Sequence, residues 1–481
     1  MLIGPNSVGI WFLSMPHATL LVRDAAVGSG DGARVYVTRV QLRNIKGFSG
    51  KRAVDLSLSG RSGWTVLAGR NSSGKSTVLQ AIALALGGPA VARALVPDFT
   101  GWVATNARKG EAEVQVTSDP ELDGFVGSGN KPLGEISLGL QWARQSSEPE
   151  HTYRPVMDVL SKGKSGPRGP WAENPIGWFY AGYGPFRRLT GGSSEAQRLM
   201  VNQGPSGRLA TLFHEDASLA EGVAWLIDLR LRSFEEDQKR GGARELLDQV
   251  LALLRDGLLP DRYQIKSVTA DGLWVVEDGR RGPGFPLKEM SDGYRTVAAL
   301  VLDIARQLHG AYGALRTRKT EAGGTAIVNP GVVLIDEVDA HLHVTWQRKI
   351  GDWLQEHFPN IQFIVTSHSP YICQAADEGG LIRLPGVDEQ QPPEVVDEDL
   401  YRRVVYGSGD DAVLSELFGL ETPYSSRAEQ QRRRLVALEL KVYAESATAE
   451  EITEYQELGS LLTSSLESRV AEVSARLEQN R

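Results

Sequence analysis

Short, largely apolar runs at three places along the chain predict buried β-strands. They lie at 64–68, 332–335 and 363–365, and polar residues or glycine follow each one. Runs of this kind are typical of parallel strands that are covered on both faces of a sheet. Helical spacing of apolar residues follows the first run, at Val78, Leu79, Ala81, Ile82 and Leu84. The pattern therefore predicts an α/β fold with a mostly parallel sheet flanked by helices.

Two insertions interrupt this core pattern. Residues 96–168 combine strand-like pieces at 113–117 and 136–141 with loops rich in Gly, Ser and Pro, which predicts an antiparallel lobe. Residues 193–257 instead show helical spacing of Leu, Val and Ile, which predicts a compact helical subdomain. No heptad pattern is sustained there, so we expect no long coiled-coil arms.

The last part of the chain is amphipathic. Apolar residues recur at helical spacing in 427–442 and 450–477, and Thr448 with Glu451 forms a capping-box pattern between the two segments. We therefore expect a C-terminal helical hairpin. Either the hairpin folds onto its own core, or its apolar stripe docks a partner or a second copy, and the pattern leaves both alternatives open.

These patterns divide the chain into four parts. The expected parts are a disordered or loosely attached extension at 1–33, a nucleotide-binding core at 34–385 that contains the helical insertion, a connecting segment at 386–424, and the hairpin at 425–481.

Composition excludes several classes of function. The 481 residues include 52 Lys plus Arg and 60 Asp plus Glu, a net charge of −8, so a dominant nonspecific coating of nucleic acid is excluded while a local basic patch stays open. Cys373 is the single cysteine, which rules out an internal disulfide and fits a reducing cytoplasm. No apolar stretch reaches the ~18 residues of a membrane span, so we expect a cytoplasmic protein without membrane contact.

The segment between the first strand and its helix has the composition of a phosphate-binding loop. It consists of Gly69, Arg70, Asn71, Ser72, Ser73, Gly74, Lys75, Ser76 and Thr77. Glycines let the backbone curl so that N–H groups and the helix N-terminus point at phosphate oxygens. Lys75 suits the β and γ phosphates, and the hydroxyl of Ser76 suits Mg²⁺. The sequence therefore predicts binding of ATP with Mg²⁺.

Two acids follow the second strand, and a histidine follows the third. We expect Asp336 to hold the Mg²⁺ through water and Glu337 to polarise the attacking water. His368 suits a hydrogen bond from its imidazole to the γ-phosphate. An isolated loop histidine is more often structural, but the accompanying motifs favour catalysis. Lys75, Glu337 and His368 are thus the predicted catalytic residues.

A second anion-binding segment, Ser291-Asp292-Gly293, begins the helical pattern of 297–308 and follows a predicted hairpin of 273–277 with 285–287. A serine hydroxyl and backbone N–H groups at the start of a helix bind anions. Alone, the tripeptide is only a capped turn. Its place before the strand that ends at Asp336 makes it a candidate nucleotide contact.

The order of these motifs resembles that of soluble ABC-class ATPases of the SMC, RecF and OLD-like group, within the AAA family. Segment 43–48 is similar to the strand end that faces the nucleotide in that group, and 336–343 is similar to its Walker B motif and D-loop. The resemblance covers residues 35–375. It implies an ABC-type P-loop core and a homodimer or higher even oligomer. In that assembly Ser291 to Gly293 of one subunit would close over the γ-phosphate bound by the other.

The chain departs from the family pattern at several positions. Ser72 replaces a glycine common in the phosphate loop, Asp292 replaces a signature glycine, and His343 stands where transporter cassettes usually carry Asp. No convincing counterpart of the Q-loop glutamine is found. Residues 182–188 are a candidate for its neighbourhood or an ordinary turn.

Segment 407–420 is similar to the region after the ATPase core in bacterial defence ATPases of the Septu and retron-associated kind, which work beside a separate HNH nuclease. The resemblance implies a slow ATP-hydrolysing switch that regulates a partner effector nuclease in antiphage defence. The alternative is a DNA-repair or chromosome-maintenance ATPase of RecF or SMC type that binds DNA directly. The basic cluster Arg432, Arg433 and Arg434 either contacts nucleic acid or is solvated.

Overall fold

The computed structural model describes residues 34–462 except for 120, 129, 133, 145–154, 161–162, 164, 188–193, 202–203, 236–241, 261, 280–281, 283, 421 and 423. The expected extension at 1–33 and the last part of the predicted hairpin, 463–481, lie outside the described residues.

The described chain alternates strands and helices. The strands are β1 Val37–Arg43, β2 Val54–Ser57, β3 Gly63–Ala68, β4 Lys109–Val116, β5 Ile136–Ala143, β6 Val156–Val159, β7 Tyr180–Tyr183, β8 Tyr263–Thr269, β9 Gly272–Glu277, β10 Phe285–Pro286, β11 Thr317–Lys319, β12 Thr325–Ile327, β13 Gly331–Ile335, β14 Ile361–Ser367, β15 Leu381–Arg383 and β16 Glu394–Val395. The helices are α1 Lys75–Leu95, α2 Ser165–Arg168, α3 Ser194–Val201, α4 Pro205–Phe213, α5 Ala220–Glu235, α6 Gly242–Arg255, α7 Asp292–Tyr312, α8 Val344–Gln347, α9 Ile350–His357, α10 Pro370–Cys373, α11 Glu398–Val405, α12 Gly409–Val413, α13 Ser426–Tyr443 and α14 Ala449–Leu462.

The central sheet has six strands in the order β16-β15-β3-β14-β13-β7. All neighbours run parallel except the edge strand β16. Every residue of β13 and β14 is buried, as the continuous apolar runs require for strands covered on both faces. Helices α1, α7 and α9 pack against the sheet. The predicted α/β fold with a mostly parallel sheet is confirmed.

Helix α1 starts at the phosphate-binding loop and crosses the core. Gly88 has φ of +76° and Pro89 follows it, so the helix is kinked at a point where no amide N–H is available for the regular ladder. A side chain at residue 88 would collide with the Trp171 ring, because a Cβ there would lie 2.4 Å from it. By length and composition alone the helix could cross a membrane, yet 72% of its most apolar 18-residue stretch is buried inside the protein. It is the core helix of the sheet.

The antiparallel lobe is a five-stranded sheet in the order β2-β1-β4-β5-β6. Strand β4 alternates buried and partly exposed residues, the pattern of a sheet with one face on the core. Phe99, Trp102 and Trp142, the last of which lies on β5, form an aromatic cluster in this lobe with ring centroids 5.5 to 5.6 Å apart. The lobe predicted from 113–117 and 136–141 is therefore present as part of a larger sheet.

The helical subdomain consists of α3 to α6. Helices α5 and α6 pack against α7. Helix α7 begins at Ser291-Asp292-Gly293, called the signature segment below, and precedes β13 in the chain. Gly222 of α5 lies so close to Leu302 of α7 that a Cβ at position 222 would be 3.1 Å from the Leu302 side chain. This close approach ties the helical subdomain to the sheet through α7.

The C-terminal helices α13 and α14 pack on each other as a hairpin. Thr448 and Glu451 form the predicted capping box, because the Thr448 hydroxyl accepts from the Glu451 N–H while the Glu451 carboxylate accepts from the Thr448 N–H. Arg434 pairs with Glu454 across the two helices at 2.6 Å. Arg433 pairs with Glu429, and Arg432 lies 3.7 Å from the centre of the Tyr424 ring. The basic cluster is thus engaged within the chain.

Replacing Leu302 by alanine should lower the free energy of unfolding by about 3 kcal/mol, because its side chain is fully buried between α7 and α5. Urea or thermal denaturation measures this. Leu231→Ala is the matched control, since Leu231 is also helical but 58% exposed, and it should change stability by less than about 0.5 kcal/mol. Equal effects of the two changes would contradict the packing described here.

Candidate functional site

Three of the sequence motifs meet at one edge of the central sheet. Strands β3, β14 and β13 are parallel neighbours, with Ser367 paired to Ala68 and Ile335 to Val365. Because parallel strands end on the same side, the phosphate loop after Ala68, the acids after Ile335 and His368 after Ser367 emerge together. This is the edge of an open α/β sheet at which ligands usually bind.

The phosphate loop is shaped by two glycines. A Cβ at Gly69 would lie 2.4 Å from the carbonyl oxygen of Leu384, and one at Gly74 would lie 2.6 Å from the Phe48 ring. Gly74 also has φ of +101°, a left-handed conformation that favours glycine. Ser72, which replaces a glycine common in the family, has φ of +65°. The loop therefore keeps the curled backbone despite this substitution.

Lys75 is buried at the start of α1. Its Nζ donates to the carbonyl oxygens of Gly69 and Arg70 at 2.9 and 3.0 Å. Burial lowers the pKa of Lys75 to about 8, against the opposing charges of Asp336 and Glu337. The ammonium group thus lies within electrostatic reach of both acids, in an environment that a bound anion would stabilise.

Donors for an anion are present around the loop. The N-cap residue Gly74 has no side chain to accept from the first turn of α1, whose N–H groups have no acceptor within the helix. The hydroxyl of Ser73 is buried and has no hydrogen-bond partner. A polyphosphate would satisfy these groups, so the loop fits the ligand predicted from its sequence.

The oxygen donors fit Mg²⁺. The Asp336 carboxylate and the Ser76 hydroxyl are hard ligands, and Mg²⁺ is usually bound by one or two protein oxygens together with phosphates and water. Within the described ranges no group of three or more His, Cys, Asp or Glu could hold a metal ion. A protein-only metal cage is therefore not found there, and a site shared with nucleotide is the arrangement that fits.

The turn after β13 carries the two acids and has an unusual backbone. Glu337 has φ of +44°, a left-handed conformation that is uncommon outside glycine. The Thr366 hydroxyl accepts from the Glu337 N–H at 2.7 Å and donates to the Asp336 carboxylate at 2.6 Å. One threonine on β14 thus fixes the backbone of one acid and the side chain of the other.

Arg187 lies on the other side of the same turn. It follows β7, the neighbour of β13, and its guanidinium donates to the carbonyl oxygens of Asp336, Glu337 and Val338 at 2.9, 3.1 and 3.2 Å. The segment that sequence analysis left between a Q-loop neighbourhood and an ordinary turn therefore delivers a buried arginine under the acidic turn. Arg188, at its end, lies outside the described residues.

Burial shifts the pKa values of both predicted proton-handling groups. The pKa of Glu337 is raised, first by burial and then by the charges of Asp336 and Asp339. The pKa of His368 is lowered, first by burial and then by Lys75. A neutral imidazole at position 368 can donate one hydrogen bond, and a carboxylate with a raised pKa is a stronger base.

Cys373 is buried in α10, directly after the His368 loop, and burial raises the pKa of its thiol to about 12. A thiol with this pKa is not a nucleophile near neutral pH. Cys373 therefore contributes packing rather than chemistry here.

The signature segment lies in a different cleft. Ser291 is the exposed N-cap of α7 and makes no capping hydrogen bond, while Asp292 pairs with Arg295 one turn later. The cleft, of about 380 Å³, is lined by Ser291 to Tyr294 together with His341 to His343 and Trp346, and by no residue of the phosphate loop. A Cβ at Gly293 would lie 2.6 Å from the His341 carbonyl oxygen. The chain thus places its second anion-binding segment beside the turn that follows Glu337.

His343, which departs from the usual Asp, caps the short helix α8. Its Nδ1 accepts from the N–H of Thr345 and lies 2.6 Å from the Thr345 hydroxyl. An imidazole nitrogen therefore performs the capping that a carboxylate would perform at this position.

The segment 407–420 reaches the phosphate loop. A Cβ at Gly419 would lie 2.1 Å from the Arg70 guanidinium, so this arginine packs directly on the backbone of that segment. Gln374, just after α10, donates to the carbonyl oxygen of Gly407 at 3.0 Å. The segment is therefore in contact with both the phosphate loop and the region that follows His368.

The structure places Asp336, Glu337 and His368 each within electrostatic reach of Lys75 and leaves Ser291 to Gly293 in the separate cleft beside His341 to His343. The sequence pointed to 182–188 as a Q-loop neighbourhood or an ordinary turn but gave no role to Arg187 itself, and it gave none to Thr366. A polar residue at the end of an otherwise apolar strand was the available signal for Thr366.

Thr366→Val should lower the free energy of unfolding by about 1–3 kcal/mol, because the isosteric side chain leaves the Glu337 N–H without an acceptor. Chemical denaturation measures this. Thr65→Val, the same change in the adjacent buried strand β3 and away from the turn, should have a smaller effect. A variant as stable as the wild type would show that the threonine does not hold the turn.

Comparison with protein families gives two matches. Residues 212–374 match a family described as "AAA domain, putative AbiEii toxin, Type IV TA system", and residues 39–128 match a family described as "AAA domain". The second match contains the phosphate loop, and the first contains the signature segment, the acids and His368.

Curated relatives match different shares of the chain. A Septu protein PtuA of Bacillus mycoides is 25% identical over 75% of this chain and 42% of its own length. Another, of Bacillus thuringiensis, is 30% identical over 34% of this chain and 40% of its own length. The Retron Ec83 probable ATPase of Escherichia coli is 38% identical over 22% and 18%. The chain spans less than half the length of each of these relatives.

Among solved structures, an SmcHead bound to the C-winged helix domain of ScpA has a TM-score of 0.43 at 15% identity, over 75% of this chain and 97% of that one. The SMC head domain from Thermotoga maritima has a TM-score of 0.37 at 15% identity, over 75% and 99%. Two segments of the chain thus match AAA-domain families, and the chain is similar to Septu PtuA proteins and to a retron ATPase, in agreement with the order of the motifs.

Proposed function

We propose that two copies of this chain bind ATP with Mg²⁺ between them, hydrolyse it slowly, and use the ATP-bound dimer as a switch that controls a partner effector in antiphage defence. One observation carries the proposal. The phosphate loop, the acids and His368 share one edge of the sheet. Ser291 lies in a separate cleft, is exposed, and makes no capping hydrogen bond with its hydroxyl. A second copy can present this segment to a nucleotide that the first copy holds.

In the proposed complex the loop N–H groups and Lys75 bind the β and γ phosphates of the substrate. Asp336 and Ser76 would hold Mg²⁺, which supplies positive charge to the phosphate oxygens. The Glu337 carboxylate accepts a hydrogen bond from the attacking water, and its raised pKa favours that role. His368 donates from a neutral imidazole to the γ-phosphate, consistent with its lowered pKa.

The switch role follows from the incomplete monomer. Ser291 to Gly293 can add donors to the γ-phosphate only in the dimer, so binding of ATP favours association and hydrolysis favours release. The contact between Arg70 and Gly419 supports a route from the nucleotide to the C-terminal helices. Matches to Septu and retron proteins support antiphage defence as the setting, and the family resemblance supports an HNH-type nuclease as the separate effector.

Direct DNA binding is the second candidate. Arg433 and Arg434 pair with glutamates at the surface and Arg432 packs on Tyr424, so phosphates of DNA would have to displace these exposed contacts. ATP hydrolysis that DNA stimulates without any partner protein would favour this candidate over the effector switch.

Lys75→Ala should weaken ATP binding by at least about tenfold, because it removes the buried cation at the phosphate loop. Titration with a fluorescent ATP analogue measures the affinity. Lys109→Ala, which removes an exposed lysine on the antiparallel lobe, is the control and should bind like the wild type. Equal affinity of the Lys75 variant and the wild type would refute the assignment of the loop.

A further inference from the structure

Arg187 is one of the most deeply buried cations in the described part of the chain, with 2% of its surface exposed. Besides the three carbonyls of the turn, its guanidinium donates to the carbonyl oxygen of Gly184 at 2.9 Å. The acceptors found for it within the described residues are backbone carbonyls, and its Nε is buried without a partner. This arginine therefore donates its hydrogen bonds to a backbone turn rather than to a carboxylate side chain.

Burying a guanidinium against carbonyl oxygens alone is energetically unfavourable. Moving a guanidinium out of water is unfavourable, and carbonyl oxygens offset the lost hydration less well than a paired carboxylate does. Burial accordingly lowers the pKa of Arg187 to about 10, although the charges of Asp339, Asp336 and Glu337 oppose the shift. A well-packed apolar side chain in the same place would avoid this desolvation but would leave the carbonyls of the turn without their donor, so the arginine is tied to the turn itself.

The turn has a need that an arginine meets. The carbonyls of Asp336, Glu337 and Val338 all face the guanidinium, which places positive charge beside their oxygens. The Glu337 carbonyl also accepts from the Ala340 N–H at 2.9 Å. Glu337 occupies the left-handed region, which is unfavourable for a residue with a side chain. The planar fork of a guanidinium can bond several carbonyls at fixed angles, whereas a lysine ammonium is a point donor on a flexible stem.

The two faces of the turn are thus held separately. Thr366 binds the N–H of Glu337 from β14, and Arg187 binds its carbonyl from the side of β7. With both ends of the residue fixed, the direction of its Cα–Cβ bond is fixed as well. The direction of that bond determines where the carboxylate can reach.

We propose that Arg187 is a positioning residue for ATP hydrolysis, which holds the backbone of Glu337 so that its carboxylate meets the attacking water. The inference rests on the proposed function, because it assigns Glu337 the role of base. It predicts that damage to Arg187 appears in the rate of hydrolysis and leaves nucleotide affinity nearly unchanged. The acceptors of Arg187 lie outside the phosphate loop, and the Asp336 carboxylate is held by Thr366 rather than by Arg187.

Arg187→Lys should reduce kcat by about 10–100-fold, the scale of a misplaced catalytic group, while the Kd for ATP stays within about threefold of the wild type. Steady-state hydrolysis and equilibrium binding measure the two quantities. Arg208→Lys is the matched control, because Arg208 is also buried but lies 5.7 Å from the Phe179 ring and makes no bond to the turn. An equal loss of kcat in both variants, or none in Arg187→Lys, would overturn the proposal.

A double variant separates positioning from general damage. If Arg187 acts through Glu337, then Arg187→Lys combined with Glu337→Gln should be no slower than Glu337→Gln alone. Multiplied effects would overturn the inference.

Should the lysine variant fail to fold, Arg187→Gln provides a neutral side chain that avoids burying a charge, and the same kcat loss and non-additivity are expected. A wild type that does not hydrolyse ATP would overturn the proposed function itself, whereas normal kcat in the Arg187 variants would overturn only this inference.

Discussion

The parallel pairing of β3, β14 and β13 is the constraint on which the rest of the structure depends. The register of these three strands sets which residues emerge at the shared edge, namely the phosphate loop, the acids and His368. A shift of one residue would turn the side chains of a strand to the opposite face. Since β13 and β14 are buried on both faces, such a slip would keep their apolar side chains inside but would disturb their packing against the covering helices. It would also move the acids and His368 relative to the phosphate loop, so the packing of the strands and the geometry of the site depend on the same register.

The site that this sheet creates is electrostatically unfavourable without a ligand. Lys75 and Arg187 are both buried with carbonyl oxygens as their acceptors, and burial lowers the pKa of each. Glu337 is half-buried beside other acids, which raises its pKa. A triphosphate with its metal ion would bring charges of both signs to these groups. Binding of such a ligand should therefore stabilise the folded chain as well as prepare the reaction.

Local patterns predicted much of the fold. The buried strands, the phosphate loop and the Thr448 capping box are encoded by residues close together in the sequence, and all are found. The kink at Gly88 could also have been predicted, because Pro89 follows it, but the helical spacing hid it. Contacts over long separations were beyond this approach. Arg187 is 149 to 151 residues from the carbonyls that it binds, and Gly419 is distant in sequence from Arg70. Only the folded sheet shows that these residues meet.

The central claim is that each nucleotide lies between two copies, and complementation of two inactive variants tests it most directly. Lys75→Ala removes the phosphate loop function of one copy, and Ser291→Glu places a repelling charge on the signature segment of the other. Mixed in equal amounts, they form heterodimers with one undamaged site and one doubly damaged site. The mixture should recover about a quarter of the wild-type rate of ATP hydrolysis, because about half of the dimers are mixed and each has one working site. A mixture no more active than the separate variants would contradict it.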